Sequence, residues 1–268
     1  MRPPAPLGRR RAAVTGGDDV GAYRVLRVAD PEGPLPAAGQ FYMLAAVQRW
    51  GGGRDERPYL PRAFSFLSAG GGELRFMLED VGPGTHRLAE LGAGEELWLT
   101  GPLGAGFRAP HDGRRALLAG GGVGVPPLAA WASALADRPL ALLGFRDREH
   151  AAGAAVMDAA QVRVATDDGS VGHHGLVTEL LAAQLARDTH AHAVVYACGP
   201  PAMLEAVRAL CTEHDVPAQL ALEAGMACGF GACYGCVVPV RDCGYVRICV
   251  DGPVIDADRL ERVPEDAH

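Results

Sequence analysis

Five of the chain's seven cysteines lie between Cys228 and Cys249, in the run CGFGACYGCVVPVRDCGYVRIC, and the first three are spaced C-x4-C-x2-C. Thiolates at that spacing supply three of the four sulfurs around a [2Fe-2S] cluster. Two irons sharing two sulfides need four thiolates converging on a small volume, so the chain must wrap tightly. Gly229, Gly231 and Gly235 permit this, because glycine accepts positive φ and lets backbone N–H groups approach sulfur. The fourth ligand is Cys243, in the turn-like VPVRDCGY, or Cys249, which closes the strand-like YVRIC. A strand returning beside the first three cysteines favours Cys249 and leaves Cys243 open. A four-cysteine zinc site is the competing reading, although zinc ligands usually come as two short-spaced pairs. A disulfide framework fits less well, since a chain of this size and apolar content needs no stapling.

Four other motifs could hold anionic or planar groups. AGGGVGVPPLAAW, residues 119–131, places Gly121, Gly122 and Gly124 at a strand-to-helix turn, where unpaired N–H groups suit a pyrophosphate. It is not a clean G-x-G-x-x-G, and no acidic ribose ligand follows ~20 residues on. Arg146 and Arg148, after the second strand of this half, could meet a 2′-phosphate or be plain surface charges, so NADH against NADPH stays open. In PRAFSF, residues 61–66, Arg62 suits a phosphate, while Phe64 and Ser65 suit a planar ring. GPGTHRL puts Gly84 and Thr85 at a helix start, a second candidate phosphate position. ACGPPAM places Cys198 and Gly199 at the carboxyl end of a strand, where α/β sheets bind ligands. Each motif also has a plain reading: a tight connection, a solvated charge, an ordinary turn, a buried core cysteine.

Two kinds of patterning must position these motifs. Between about Tyr23 and Thr100 the runs AYRVLRV, QFYMLAAV, AFSFLSA, ELRFMLED and EELWLTG alternate and are split by turns, which predicts a compact antiparallel barrel with one helix over residues 84–91. After residue 108 strands and helices alternate, from RALLAG to AQLALE, which predicts a mostly parallel sheet with helices on both faces. The 268 residues, 49% hydrophobic, suffice for two modest domains and a small appendage. A net charge of −7 without a basic stripe argues against nucleic acid. No run reaches the ~18 apolar residues of a membrane helix, and a soluble, cytoplasmic protein is expected. Arg9, Arg10 and Arg11 are followed by no apolar segment that would make an export signal, so residues 1–20 are expected to be a disordered basic leader.

Taken in order, the Arg-x-aromatic-Ser strand, Gly-Thr helix start, GGGxGxxP turn and CGPxxM turn resemble the ferredoxin-NADP reductase superfamily. The carboxy-terminal cysteines are similar to one branch of it, which includes electron-transfer subunits of dihydroorotate dehydrogenase B. TDDGSVGHHG (166–175), LEAGMACGFGACYGC (222–236) and CVDGPV (249–254) carry that likeness, which spans Tyr23 to Ile255. It implies a β-barrel plus α/β fold: an FAD-binding barrel over 21–108, an NAD-binding domain over 109–222 and a [2Fe-2S] module over 223–268. By this resemblance Arg62, Ala63, Phe64 and Ser65 form the FAD strand, Met77, Leu78 and Glu79 contact the flavin and adenosine region, and Gly84 with Thr85 form the diphosphate turn. Gly121, Gly122, Gly124, Cys198 and Gly199 would serve NAD(H), and Cys228, Cys233, Cys236 and Cys249 the cluster, leaving Cys243 spare. Ala63 stands where a proline is frequent, and the insertion RWGGGRDERPYLP is long. The partner implied is an FMN-containing dihydroorotate dehydrogenase catalytic subunit of pyrimidine biosynthesis, in a heterotetramer of two subunits of each kind. A reductase subunit of a hydrogenase or bifurcating complex, or a non-catalytic zinc module, are the alternatives.

Overall fold

Alternation of apolar and polar residues builds the amino-terminal half as an antiparallel sheet. The computed structural model describes residues 8–51, 57–111, 113–157, 161–187, 192–241 and 244–264. Its first seven strands are β1 (Arg9–Val20), β2 (Tyr23–Ala29), β3 (Phe41–Ala46), β4 (Arg62–Ser65), β5 (Ser68–Gly70), β6 (Glu73–Glu79) and β7 (Glu96–Leu103), with helix α1 (Pro83–Ala89) before the last. They pair in the order β4-β3-β7-β1-β2-β6-β5. The sheet curls far enough to bring β4 against β6. Tyr42, Leu44, Phe76, Leu78, Leu97 and Leu99 fill its interior and are fully buried.

The expected disordered leader is a correction, because residues 9–20 are the middle strand of this sheet. Arg9 to Ala13 pair with β7, the register shifts between Val14 and Gly16, and the rest pairs with β2. The strand buries only Ala12 and Val14, so its apolar signal is faint. Its arginines are partnered across strands: Arg9 over the Trp98 ring at 4.2 Å, Arg10 on Asp30 at 2.6 Å, Arg11 on Glu96. What looks like a solvated charge run is thus part of a strand paired on both sides.

The second half alternates β8 (Arg115–Gly121), α2 (Val125–Ala134), β9 (Leu140–Phe145), α3 (Arg148–Ala151), β10 (Gln161–Thr166), β11 (His173–His174), α4 (Val177–Leu185), β12 (Ala193–Cys198), α5 (Pro201–Glu213) and β13 (Ala218–Ala221). Strands such as AVVYAC in β12 are buried at every position, as a sheet covered on both faces requires. The cysteine-rich segment follows, with a hairpin of β14 (Val237–Val240) and β15 (Gly244–Arg247). The chain then re-enters the α/β sheet as β16 (Val254–Asp256), antiparallel to β13, giving the order β11-β10-β9-β8-β12-β13-β16. The segment from 223 onward is thus a small carboxy-terminal module whose last strand is anchored in the α/β sheet. It also rests on the barrel: a β carbon on Gly229 would stand 2.5 Å from Met43 Cγ, and Cys236, Ile248 and Cys249 share one apolar cluster with Phe41, Met43 and Leu103. No helix among the described residues is long and apolar enough to cross a membrane.

Candidate cofactor grooves and cysteine loop

Strands β4 and β6 and the start of α1 supply one wall of a cavity. Arg62, Ala63, Phe64, Ser65, Met77, Glu79 and Thr85 line a cavity of about 310 Å3 between the barrel and the start of the cysteine segment. Leu78 is a correction: it does not line this cavity and is buried in the barrel core. The Arg62 guanidinium lies across Gly84, where a β carbon would come within 2.6 Å of Nε. A cation beside bare backbone suits a diphosphate. Thr85 shapes this turn rather than presenting its hydroxyl: Oγ1 accepts from the N–H groups of Val81 and Gly82 at 2.9 Å each and donates to Gly82 O at 3.0 Å.

A larger cavity of about 590 Å3 follows the carboxyl ends of β8, β9, β10 and β12, past Gly121, Gly122, Phe145, Asp167 and Pro200. Such crevices are where open α/β sheets take ligands. Gly124 and Gly199 do not line it; they let two turns touch. A β carbon on Gly124 would meet Cys198 O at 2.2 Å, and one on Gly199 would meet Met203 Cε at 2.8 Å. Cys198 faces the smaller cavity, and burial together with the nearby Glu223 carboxyl pushes its thiol well up. The two cavities share Glu79, Val81, Val123 and Glu223 as walls, so they adjoin along one groove between the halves. Glu223 has surface open to this groove, yet the protein packed around its carboxyl raises its pKa by desolvation. Arg146, a candidate 2′-phosphate ligand, is engaged by Glu79 and His150 instead, and His150 Nδ1 meets Asp147 at 2.7 Å. Arg148 donates to Ser170 O at 2.6 Å.

The cysteine loop brings its sulfurs together in two pairs. Cys228 and Cys233 form one, with the Cys233 N–H 3.5 Å from Cys228 Sγ, and Cys236 and Cys249 form the other, with sulfurs 3.2 Å apart. Burial alone would raise the Cys228 thiol, but the N–H groups of Cys233, Phe230 and Ala232 outweigh it and bring the thiol down to about 6. Cys249 is pushed up to about 12 by burial and by its contact with Cys236. Gly229 and Gly231 take φ of 74° and 87°, which lets the loop turn its amides inward. Cys243 lies outside the described residues.

Residues 223–261 match the family described as the iron-sulfur cluster binding domain of dihydroorotate dehydrogenase B. The electron transfer subunit of dihydroorotate dehydrogenase B (NAD(+)) from Clostridium perfringens is 32% identical over 229 residues, covering 84% of this chain and 87% of its own length. The corresponding subunit of Geobacillus kaustophilus is 40% identical over 204 residues, covering 70% of this chain and 74% of its own. This chain belongs to the family of dihydroorotate dehydrogenase B electron transfer subunits. Among solved structures, an NADH-dependent reduced ferredoxin-NADP oxidoreductase studied for flavin-based electron bifurcation superposes with a TM-score of 0.78 over 95% of this chain and 91% of that one, at 23% identity. The ferredoxin reductase of carbazole 1,9a-dioxygenase gives 0.68 at 25% identity, over 80% of this chain and 68% of that one. Both likenesses agree with the barrel-then-α/β order described above.

Membership in the electron transfer subunit family makes the chain part of an oxidoreductase with an iron-sulfur binding segment, and it sets aside the zinc and hydrogenase readings. Several residues of the groove escape a reading by motif. Glu223 sits two positions beyond β13, and an acid just past the last parallel strand was the available signal. Tyr23 and Val81 gave none, because these barrel residues enter the groove only when the barrel and the α/β half are docked.

Proposed function

We propose that this chain carries electrons between an FMN-containing dihydroorotate dehydrogenase catalytic subunit and NAD+, with FAD in the smaller cavity, NAD(H) in the larger and a [2Fe-2S] cluster on Cys228, Cys233, Cys236 and Cys249. The observation that carries this reading is the set of walls common to both cavities, which would place a flavin and a nicotinamide in contact. When bound, the flavin supplies the exchange between a hydride and single electrons that such a relay needs. Arg62, set against Gly84, holds the diphosphate, while Phe64 and Ser65 offer the ring an apolar face and a hydroxyl. Val81 and Val123 line the passage where the two cavities meet and limit water there. Glu223 keeps its proton to higher pH than an ordinary carboxyl, because the protein packed around it disfavours the charged form. Cys198, with its thiol raised by burial, remains protonated and is no nucleophile.

The sulfur pairing supports a two-iron cluster, since each tetrahedral iron that shares two sulfides leaves two positions for thiolates. Cys228 with Cys233 and Cys236 with Cys249 are the pairs that fit. The engagement of Arg146 by Glu79, with Asp147 and Asp167 close by, disfavours a 2′-phosphate and supports NAD(H) over NADP(H). Phe230, Tyr234 and Tyr245 stand exposed on and beside the cysteine loop, an aromatic surface suited to the catalytic subunit. A heterotetramer of two subunits of each kind, in the reducing cytoplasm, completes the reading. Coexpression with the cognate catalytic subunit tests it: a coloured complex with iron, sulfide and FAD at roughly 2:2:1 in this chain and NAD-linked dihydroorotate oxidation is expected. A colourless chain that forms no complex overturns it.

A further inference from the structure

One barrel side chain reaches the larger groove without any role in electron transfer. Tyr23 begins β2, just past Gly21, whose φ is 58°. The tip of this hairpin rests on the α/β half, where the Ala22 N–H donates to Glu149 O at 3.3 Å. The Tyr23 ring meets the His150 ring edge-on with centroids 5.7 Å apart. It also fills the space over Gly153, where a β carbon would stand 2.7 Å from Cε2. The side chain is therefore fixed between the two halves, and the residue is only 2% exposed.

Its hydroxyl has no hydrogen-bond partner in the structure, although the oxygen is buried. A buried phenol left unpaired is costly, and such groups call for an explanation. Tyr23 lines the groove, and its hydroxyl lies 3.9 Å from where a β carbon on Gly122 would be. Burial and the nearby Glu79 hold the phenol protonated, so it is available as a donor. At a glycine turn of this kind the backbone lets a diphosphate come close. We propose that Tyr23 donates its hydroxyl hydrogen bond to a diphosphate oxygen of the bound nicotinamide coenzyme, so that the barrel as well as the α/β half recognises it. This inference rests on the reading of the larger groove as the NAD(H) site.

Tyr23→Phe removes the oxygen alone and keeps the ring between Gly153 and His150. In the cofactor-loaded complex, the expected result is about a tenfold rise in the NADH Kd and KM, the size of one hydrogen bond to a charged group, with kcat within about twofold. The melting temperature without coenzyme should stay level or rise, since an unpaired polar group has been removed, while the rise produced by NADH should shrink. An unchanged NADH affinity overturns the proposal while leaving the groove's assignment intact. A melting temperature lowered without coenzyme also overturns it, because the hydroxyl would then be satisfied within the fold. Wild-type protein that binds no NADH defeats both the assignment and the inference.

Discussion

Alanine at position 84 should weaken flavin binding about as much as removing the Arg62 guanidinium, and the two changes should not add. The new β carbon would stand 2.6 Å from Arg62 Nε, 2.9 Å from Cζ and 3.0 Å from Nη2. All three atoms belong to the movable end of a long side chain, so the guanidinium yields and the fold survives. Gly84 lies in α1 without a left-handed φ, and alanine gains up to about 1 kcal/mol over glycine within a helix. Stability should therefore hold or improve slightly. A hydrogen bond to a charged group is worth about 1.5–3 kcal/mol, which is roughly a 10- to 150-fold rise in the FAD Kd. Titrating deflavinated Gly84→Ala, Arg62→Ala and the double variant with FAD, alongside their melting temperatures, reads both quantities. Because both single changes remove the same contact, the double variant should match either one, with a coupling energy of similar size. Wild-type FAD affinity in Gly84→Ala, additive losses in the double variant, or a collapsed barrel would each refute the reasoning.

Three further outcomes follow from the same geometry. Cys249→Ser should lose iron, sulfide and the visible absorbance of the cluster, whereas Cys243→Ser should keep all three; metal and sulfide analysis of the purified variants decides it. Glu223 has a folded pKa raised above its ordinary value of 4.5, so the native state holds a proton that the unfolded chain releases, and stability falls as pH climbs from 4.5 toward the folded pKa. Glu223→Gln removes that loss, so its melting temperature relative to wild type should rise with pH across this window, and a pH-independent difference would contradict the assignment. Glu79→Gln frees Arg146 for a 2′-phosphate and should raise the NADPH-to-NADH ratio of kcat/KM by about tenfold, the value of one charge-assisted contact; equal ratios, at matched FAD content, would show that Arg146 plays no part in coenzyme choice.

Elements whose signal is local could be read directly. The period-two runs of β2 and β7 and the unbroken apolar runs of β3, β8 and β12 follow from burial on one face or on two. The cysteine spacing is legible for the same reason, since a cluster loop is a matter of a few adjacent residues. What was hidden depends on contacts across the chain. β1 passes for a leader because its arginines are partnered by Trp98, Asp30 and Glu96 from elsewhere in the sheet, and nothing near them in the chain reveals those partners. β16 has only three residues and takes its place by pairing with β13. Gly124 and Gly199 sit within binding motifs, yet the space they lack side chains for is filled by Cys198 and Met203 rather than by the groove. Tyr23 and Glu223 are 200 residues apart in the chain and line one groove only because the two halves dock.

The central claim is a relay from the coenzyme groove through the cysteine loop to a partner subunit. It is tested most directly by dihydroorotate-dependent NADH formation in the coexpressed complex, wild type against Cys249→Ser. Wild type should form NADH. The Cys249→Ser complex should still oxidise dihydroorotate with an artificial dye, and NADH with a dye, but should form no NADH from dihydroorotate. NADH formation that persists without the cluster would contradict the account.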